Sequence, residues 1–205
     1  MKLYYAPGAC SIGIHVLLEE IGKPYELAKL NLMQGDQYGA AFTSVNPKSK
    51  VPTLERPDGS VLTEFGAIAF WLAAANPEAS LYPADIEART QATSLIDYVV
   101  ATVHMQGFGR LFRPGNFGPR EEDQDAVKQR GREIVDKAFR LIDSRIAGKE
   151  YAVGPFSIAD AALFYVEFWA SKRMNIELPG HCAAHYERMI GRPSVQRVLK
   201  DEGFA

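Results

Sequence analysis

The chain has 205 residues, 47% of them hydrophobic and 23% charged, with a net charge of −2. This is the composition of an ordinary globular protein with length for one large or two small domains, and the near-balanced charge leaves no basic field to attract nucleic acid or an anionic membrane surface. Two distant cysteines, Cys10 and Cys182, outside any CxxC spacing, exclude a disulfide framework and fit a reducing cytoplasm.

No apolar run is long enough to span a membrane. Lys2, Pro7, Gly8, His15 and Glu19 break up any signal-like apolar start. Lys2-Leu3-Tyr4-Tyr5 reads as a short strand, interrupted by Ala6-Pro7-Gly8. An apolar helical pattern runs from Ile12 to Ile21 and stops at Gly22, with Pro24 just beyond. A second strand is expected over residues 25–32, then a loop at Gln34-Gly35-Asp36 and an irregular stretch with a helical turn or two over 38–45. Val51-Pro52-Thr53-Leu54-Glu55 resumes extended structure. Arg56-Pro57-Asp58-Gly59-Ser60 has the residues of a tight turn, and Val61-Leu62-Thr63 closes a hairpin. A helix is expected over 67–75, ending near Asn76-Pro77. Beyond about residue 80 no convincing strand appears. Helices are expected over 87–108 and 120–146, then from Ser157, over 182–190 and over 194–199. Ser157 and Asp160 have the spacing of a capping box, and the helix they open is apolar nearly all round, so it should be the buried centre of a helical domain. The division expected is 1–79 and 87–205.

Three positions in the first domain carry chemistry. Cys10 stands where a strand hands over to a helix start, with unpaired backbone N–H groups and the positive end of the helix dipole. There a thiol should ionise more readily than a free cysteine, a drop of two pKa units being worth about 2.7 kcal/mol to the anion; alternatively Cys10 is a small buried hydrophobe. Pro52, entering a strand, is either a cis proline that frees the backbone groups of Val51 for a ligand or an ordinary trans proline. Glu64, just before a helix, is either a charge partner of the dipole or the binder of a ligand ammonium, with the following N–H groups taking that ligand's carboxylate. Tyr4 and Tyr5 read as strand core, with one hydroxyl in reach of the loop.

Read in order, Met1-Lys2-Leu3-Tyr4-Tyr5, Pro7-Gly8-Ala9-Cys10-Ser11, Asn46-Pro47-Lys48, Val51-Pro52, Leu62-Thr63-Glu64, Ala67-Ile68, Leu111-Phe112-Arg113-Pro114 and Ser157-Ile158-Ala159-Asp160-Ala161 resemble a glutathione S-transferase of the bacterial beta class. The pieces span almost the whole chain. The resemblance implies a thioredoxin-like α/β N-terminal domain with a mixed four-stranded sheet, an all-α C-terminal domain, glutathione as co-substrate and no metal, and a homodimer. It implies a cis bond at Pro52. For glutathione it implies a site formed by Tyr5, Cys10, Val51, Pro52, Glu64, Phe65, Asp97 and His104. The sequence departs from the family where a small hydroxyl residue usually follows the acidic one (here Phe65) and where a basic residue often stands near Gln34-Gly35 (here none). His104 matches the family's histidine if one residue is inserted before Gly107-Phe108; otherwise Met105 takes its place.

The reaction implied is attack of the glutathione sulfur on a small apolar electrophile. Cys10, Ser11 and His104 would stabilise the thiolate, and Met105, Phe112, Tyr165 and Trp169 would line the electrophile pocket, although at helical spacing each also suits a core. Cys10 has a second chemistry, mixed-disulfide exchange with glutathione. A non-catalytic glutathione- or apolar-ligand-binding module of the same fold is the remaining reading. His181, Cys182 and His185 have a spacing that can bind metal, but no further ligand accompanies them; a solvated helix face is the simpler expectation. His15 reads as structural.

Overall fold

Strand β1 (Lys2–Tyr5) lies inside a four-stranded sheet of order β2-β1-β3-β4 in the computed structural model, which describes residues 1–205. Leu3 and Tyr5 point into the core, and the alternate residues are half-buried, as the period of two in a strand requires. β1 pairs in parallel with β2 (Glu26–Lys29) and antiparallel with β3 (Thr53–Glu55), which pairs antiparallel with β4 (Val61–Thr63). A parallel neighbour demands a crossover, and α1 (Ser11–Ile21) provides it. Its end is set by Gly22, at φ 70°, whose N–H reaches Leu18 O at 3.1 Å. The β3–β4 turn closes through Arg56 N–H to Ser60 O, 2.8 Å, with Gly59 in the left-handed region.

Two expected boundaries move. β2 is shorter than 25–32, because residues from Leu30 onward leave the sheet for the loop that carries a 3-10 turn (Asp36–Tyr38) and α2 (Ala40–Thr43). α3 (Phe65–Ala75) starts two residues before the expected 67, since Ile68 N–H already bonds Glu64 O at 3.0 Å.

The second domain is helical. α4 (Ile86–Tyr98) is capped by Asp85, whose carboxylate accepts from the N–H groups of Glu87 and Ala88. The expected helix over 87–108 does not stay α-helical: Val99–Phe108 is π-helical before α5 (Gly109–Phe112). The remainder is α6 (Gln124–Ile146), α7 (Ile158–Phe168), a second π-helical stretch (Trp169–Arg173), α8 (Gly180–Ile190) and α9 (Pro193–Glu202). No helix is long and apolar enough to cross a membrane.

Every residue of α7 is buried. Asp160 completes the capping box, accepting from Ser157 N–H at 2.7 Å. α7 packs on α1 across the two domains, and Gly13 sets how close they come: a Cβ there would lie 2.5 Å from Ala161 O. The solvated helix face expected for His181, Cys182 and His185 holds only at His181, because Cys182 and His185 lie on the buried side of α8. His185 turns inward between Glu167 (2.8 Å) and Asp160 (3.1 Å), Cys182 packs against Phe139 O, and His181 is exposed.

Burial alone would lower the His185 pKa, but the attraction of Glu167 and the hydrogen bonds to both carboxylates outweigh it and push the pKa up to about 10, from an ordinary 6.5. A base whose pKa rises on folding stabilises fully below its unfolded value and loses that contribution as pH climbs through the folded one. Thermal unfolding should therefore show His185→Gln about 3 kcal/mol less stable at neutral pH, with the gap to wild type shrinking as pH approaches about 10.

Candidate functional site

A cleft of about 890 Å³ opens between the two domains, within the range of small-molecule sites. Cys10, Lys50 and Val51 line the wall from the sheet domain; His104, Met105 and Trp169 line the facing one.

The loop before Cys10 is built by the sequence and clamped from the helical domain. Ala9 N–H closes on Ala6 O at 2.9 Å, and Ser11 Oγ lies 3.3 Å from both Ala6 N and Ala6 O. Gly8 adopts φ 64°, and a Cβ there would collide with Arg173 and Phe204. Glu202, from α9, accepts from Gly8 N–H at 2.7 Å and meets His15 Nδ1 at 2.9 Å. His15 Nε2 lies 3.0 Å from the Tyr25 hydroxyl, so His15 is structural, as its place in the helix indicated. Trp169 Nε1 donates to Gly8 O at 2.8 Å, and Arg173 donates to Pro7 O at 3.0 Å.

Cys10 is the N-cap of α1, but the expectation of an acidic thiol fails. Burial pushes its pKa up to about 12. The N–H groups of Cys10 and Ser11 and the charge of Lys50 pull it down by less, and Glu64 adds to the rise. Desolvation wins over the helix start because the protein packed around the sulfur displaces most of the water a thiolate would need. The thiol is thus protonated at neutral pH and donates to Val51 O at 3.4 Å. The Val51–Pro52 peptide bond is cis.

His104 stands in the cleft, on the first π-helical stretch, and Met105 lines the cleft beside it at 45% exposure. Burial, with Lys50 and Arg113 nearby, lowers the His104 pKa to about 4, so the ring is neutral at pH 7. The Tyr165 hydroxyl lies 3.4 Å from Nδ1. Tyr165 is fully buried and its pKa is raised well above the ordinary value, chiefly by burial. Its proton needs an acceptor, and donation to Nδ1 leaves the His104 proton on Nε2. Trp169 fixes the ring edge-on, centroids 4.6 Å apart.

The other expected site residues divide. Phe112 and Trp169 line the cleft with Met105. Tyr165 does not; it backs His104. The Ser11 side chain is fully buried in loop contacts and only its N–H acts toward Cys10. Tyr5 is buried against His15, ring centroids 5.8 Å apart, and Phe65 against Tyr165 at 5.2 Å; neither ring reaches the cleft. Pro52 is buried behind Val51. Asp97, expected in the glutathione site, is exposed on α4 outside the cleft. Glu64 sits at the rim at φ 72°, a strained conformation for a non-glycine residue, and pairs with Lys48 at 2.7 Å. No basic residue stands near Gln34, but Lys29, Lys48 and Lys50 all line the cleft. Lys29 lies 19 residues before Lys48 in sequence and carries no local signal of convergence with Lys48 and Lys50.

Family models describing the glutathione S-transferase N-terminal and C-terminal domains match residues 8–75 and 125–200. Glutathione S-transferase GstA of Escherichia coli O157:H7 is 36% identical over 212 residues, covering 100% of both chains. The chain belongs to the glutathione S-transferase family. Among solved structures, a glutathione transferase homologue from Sulfitobacter with bound glutathione superposes with a TM-score of 0.91 at 27% identity, over 100% of this chain and 98% of that one. A bacterial beta-class glutathione S-transferase from Sphingomonas chungbukensis gives a TM-score of 0.85 at 32% identity, over 100% of both.

In this glutathione S-transferase family member the Cys10 loop depends on a carboxylate near the far end of the chain. Glu202→Ala strands the Gly8 N–H and one His15 nitrogen in a buried place. It should lower the unfolding free energy by about 2–3 kcal/mol. Glu202→Gln, which keeps an acceptor, should fall between this variant and wild type in thermal or denaturant unfolding.

Proposed function

We propose that the protein is a glutathione transferase that joins the glutathione sulfur to a small electrophile. The observation that carries this reading is the pair of neutral donors in one cleft, the Cys10 thiol and the His104 imidazole with its proton on Nε2. Two neutral donors, with the first N–H groups of α1, can stabilise a bound thiolate and yet take no proton from it. The thiol proton of glutathione leaves to solvent. The sulfur then forms the C–S bond as the leaving group departs with its electron pair. Residues 1–79 form the glutathione-binding unit: Val51 offers its backbone to the cysteinyl part, and Glu64, Lys48 and the Phe65 N–H hold the γ-glutamyl end. Residues 87–205 supply His104 and the electrophile wall of Met105, Phe112 and Trp169.

Disulfide exchange at Cys10 needs its thiolate, and burial opposes that ion, so conjugation is the favoured chemistry. The fold acts as a homodimer in this reading. Its support is the apolar surface of Phe70 (53% exposed) on α3 and Ile86 (76% exposed) on α4, beside the edge-on Phe70–Tyr82 pair. Two buried free thiols, Cys10 and Cys182, support a cytoplasmic setting.

With 1-chloro-2,4-dinitrobenzene, Cys10→Ser keeps a donor and should retain kcat/KM within about tenfold, whereas Cys10→Ala should lose more. With glutathione disulfide as the donor, intact mass should show only slow formation of a mixed disulfide, one glutathione leaving as its thiol, and none in Cys10→Ser. A Cys10→Ser protein that reduces mixed disulfides as well as wild type would rule out exchange at this sulfur. Tight glutathione binding with no turnover of any electrophile would overturn the transferase reading. Because His104 is already neutral above about pH 4, the pH profile of kcat/KM should climb with ionisation of the bound glutathione thiol, with no histidine step near 6.5.

A further inference from the structure

The cleft has a charge that its proposed co-substrate does not use up. Lys29, Lys48, Lys50, Arg113 and Arg173 line it, and no aspartate or glutamate does, although the chain as a whole has net charge −2. Lys48 is neutralised by Glu64. The other four have no carboxylate within ion-pairing distance. Glutathione, with two carboxylates, one ammonium and an ionised sulfur, brings a net charge of minus two. That leaves two cations unanswered.

Position identifies them. Lys29 and Lys50 belong to the sheet domain, where the tripeptide would lie. Arg113 and Arg173 belong to the helical domain and bracket its aromatic wall. Phe112 packs edge-on against Trp169, centroids 5.3 Å apart, and Trp169 packs in the same way against His104 at 4.6 Å. Arg113 follows Phe112 directly. Its side chain is exposed, free of hydrogen bonds to the protein, and close enough to His104 to act on its charge. Arg173 lies one turn beyond Trp169, with one guanidinium nitrogen on Pro7 O and the rest of its planar fork unassigned. A guanidinium is suited to bidentate contact with a carboxylate.

We propose that the electrophile this enzyme takes is an aromatic acid, its ring against Phe112 and Trp169 and its carboxylate against Arg113, with Arg173 supplying the field from the other side. This rests on the transferase reading and adds a carboxylate to the small apolar electrophile expected from the sequence. For an activated chloroarene the balance is simple. The glutathione thiolate forms the C–S bond at the chlorine-bearing carbon, chloride departs with the C–Cl electron pair, and the thiol proton goes to solvent. The carboxylate stays ionised throughout.

The test compares 4-chloro-3,5-dinitrobenzoate with its methyl ester, each rate divided by the uncatalysed rate of the same compound with glutathione. Wild type should prefer the acid by about tenfold in kcat/KM at low salt. About 0.5 M KCl should erase the preference, because charge attraction at an exposed site is screened. Arg113→Gln should lower the acid-to-ester ratio by a similar factor. An acid-to-ester ratio of one or less in wild type overturns the proposal, and that measurement does not depend on any variant folding. So does a ratio that ignores both salt and Arg113→Gln, or an Arg113→Gln protein whose only defect is a raised KM for glutathione. Turnover of the ester without preference for the acid sinks this inference alone. Turnover of neither overturns this inference, and the transferase reading falls with it when 1-chloro-2,4-dinitrobenzene and other electrophiles are not turned over either.

Discussion

The site depends on a buried carboxylate that belongs to the last helix. Glu202 holds the Gly8 N–H and the His15 ring together, and through them it fixes a loop whose Gly8 and Pro7 carbonyls accept from Trp169 and Arg173. The loop is short, contains Pro7 and a left-handed Gly8, and has little regular structure of its own. Left unclamped it would sample many conformations at a backbone cost of about 1–2 kcal/mol per residue to reorder. The helical domain therefore does more than wall off a cleft: it finishes the sheet domain. α9 is anchored to α1 by further contacts, with Arg192 bidentate on Glu20 at 2.9 Å to each oxygen and Arg197 on Glu19. One surface thereby joins the first twenty residues to the last twenty.

The chemistry of Cys10 follows from that enclosure. A helix start favours an anion, but the favour is worth about 0.3–1 kcal/mol in exposed settings and up to about 2 kcal/mol in partly buried ones. Removing a thiolate from water costs more. The sum is a thiol held in its protonated form, which suits a donor and not a nucleophile. His104 follows the same logic with opposite sign: burial strips its proton and the buried Tyr165 hydroxyl decides which nitrogen keeps the remaining one. Both groups enter the cleft uncharged, which leaves the lysines and arginines around them as the dominant charges there.

Much of the fold was legible in the chain. Periodicity and punctuation placed β1, α1, the Arg56–Ser60 turn and the capping box at Ser157, because each is a local event written in neighbouring residues. The family motifs pointed to Cys10 and Val51, which line the cleft, and to Glu64, which pairs with the cleft residue Lys48. The protonation state of Cys10 was not legible, since burial is a property of the assembled molecule. The same holds for Ser11 and Tyr5, whose positions in sequence are right beside the cleft but whose side chains turn to the loop and the core. The convergence of Arg113, Arg173 and the three lysines on one cleft was not legible for the opposite reason. Scattered over four segments, they converge only when the two domains meet. The choice between His104 and Met105 turned on whether one residue is inserted before Gly107-Phe108, and the π-helical winding of Val99–Phe108 is a form of helix that takes up an extra residue.

That looser winding has a consequence for the lineage of this site. A π-helical turn holds more residues than an α-helical one, so deleting a single residue from such a stretch can restore ordinary winding with little loss of backbone bonding. Everything after the cut would then swing by about 100° around the helix axis. In the stretch before Gly109 that swing would carry Phe112 and Arg113 away from the cleft while leaving His104 where it is. Descendants of one ancestral chain could in this way exchange the face they show to a second substrate and still treat the sulfur in the same manner.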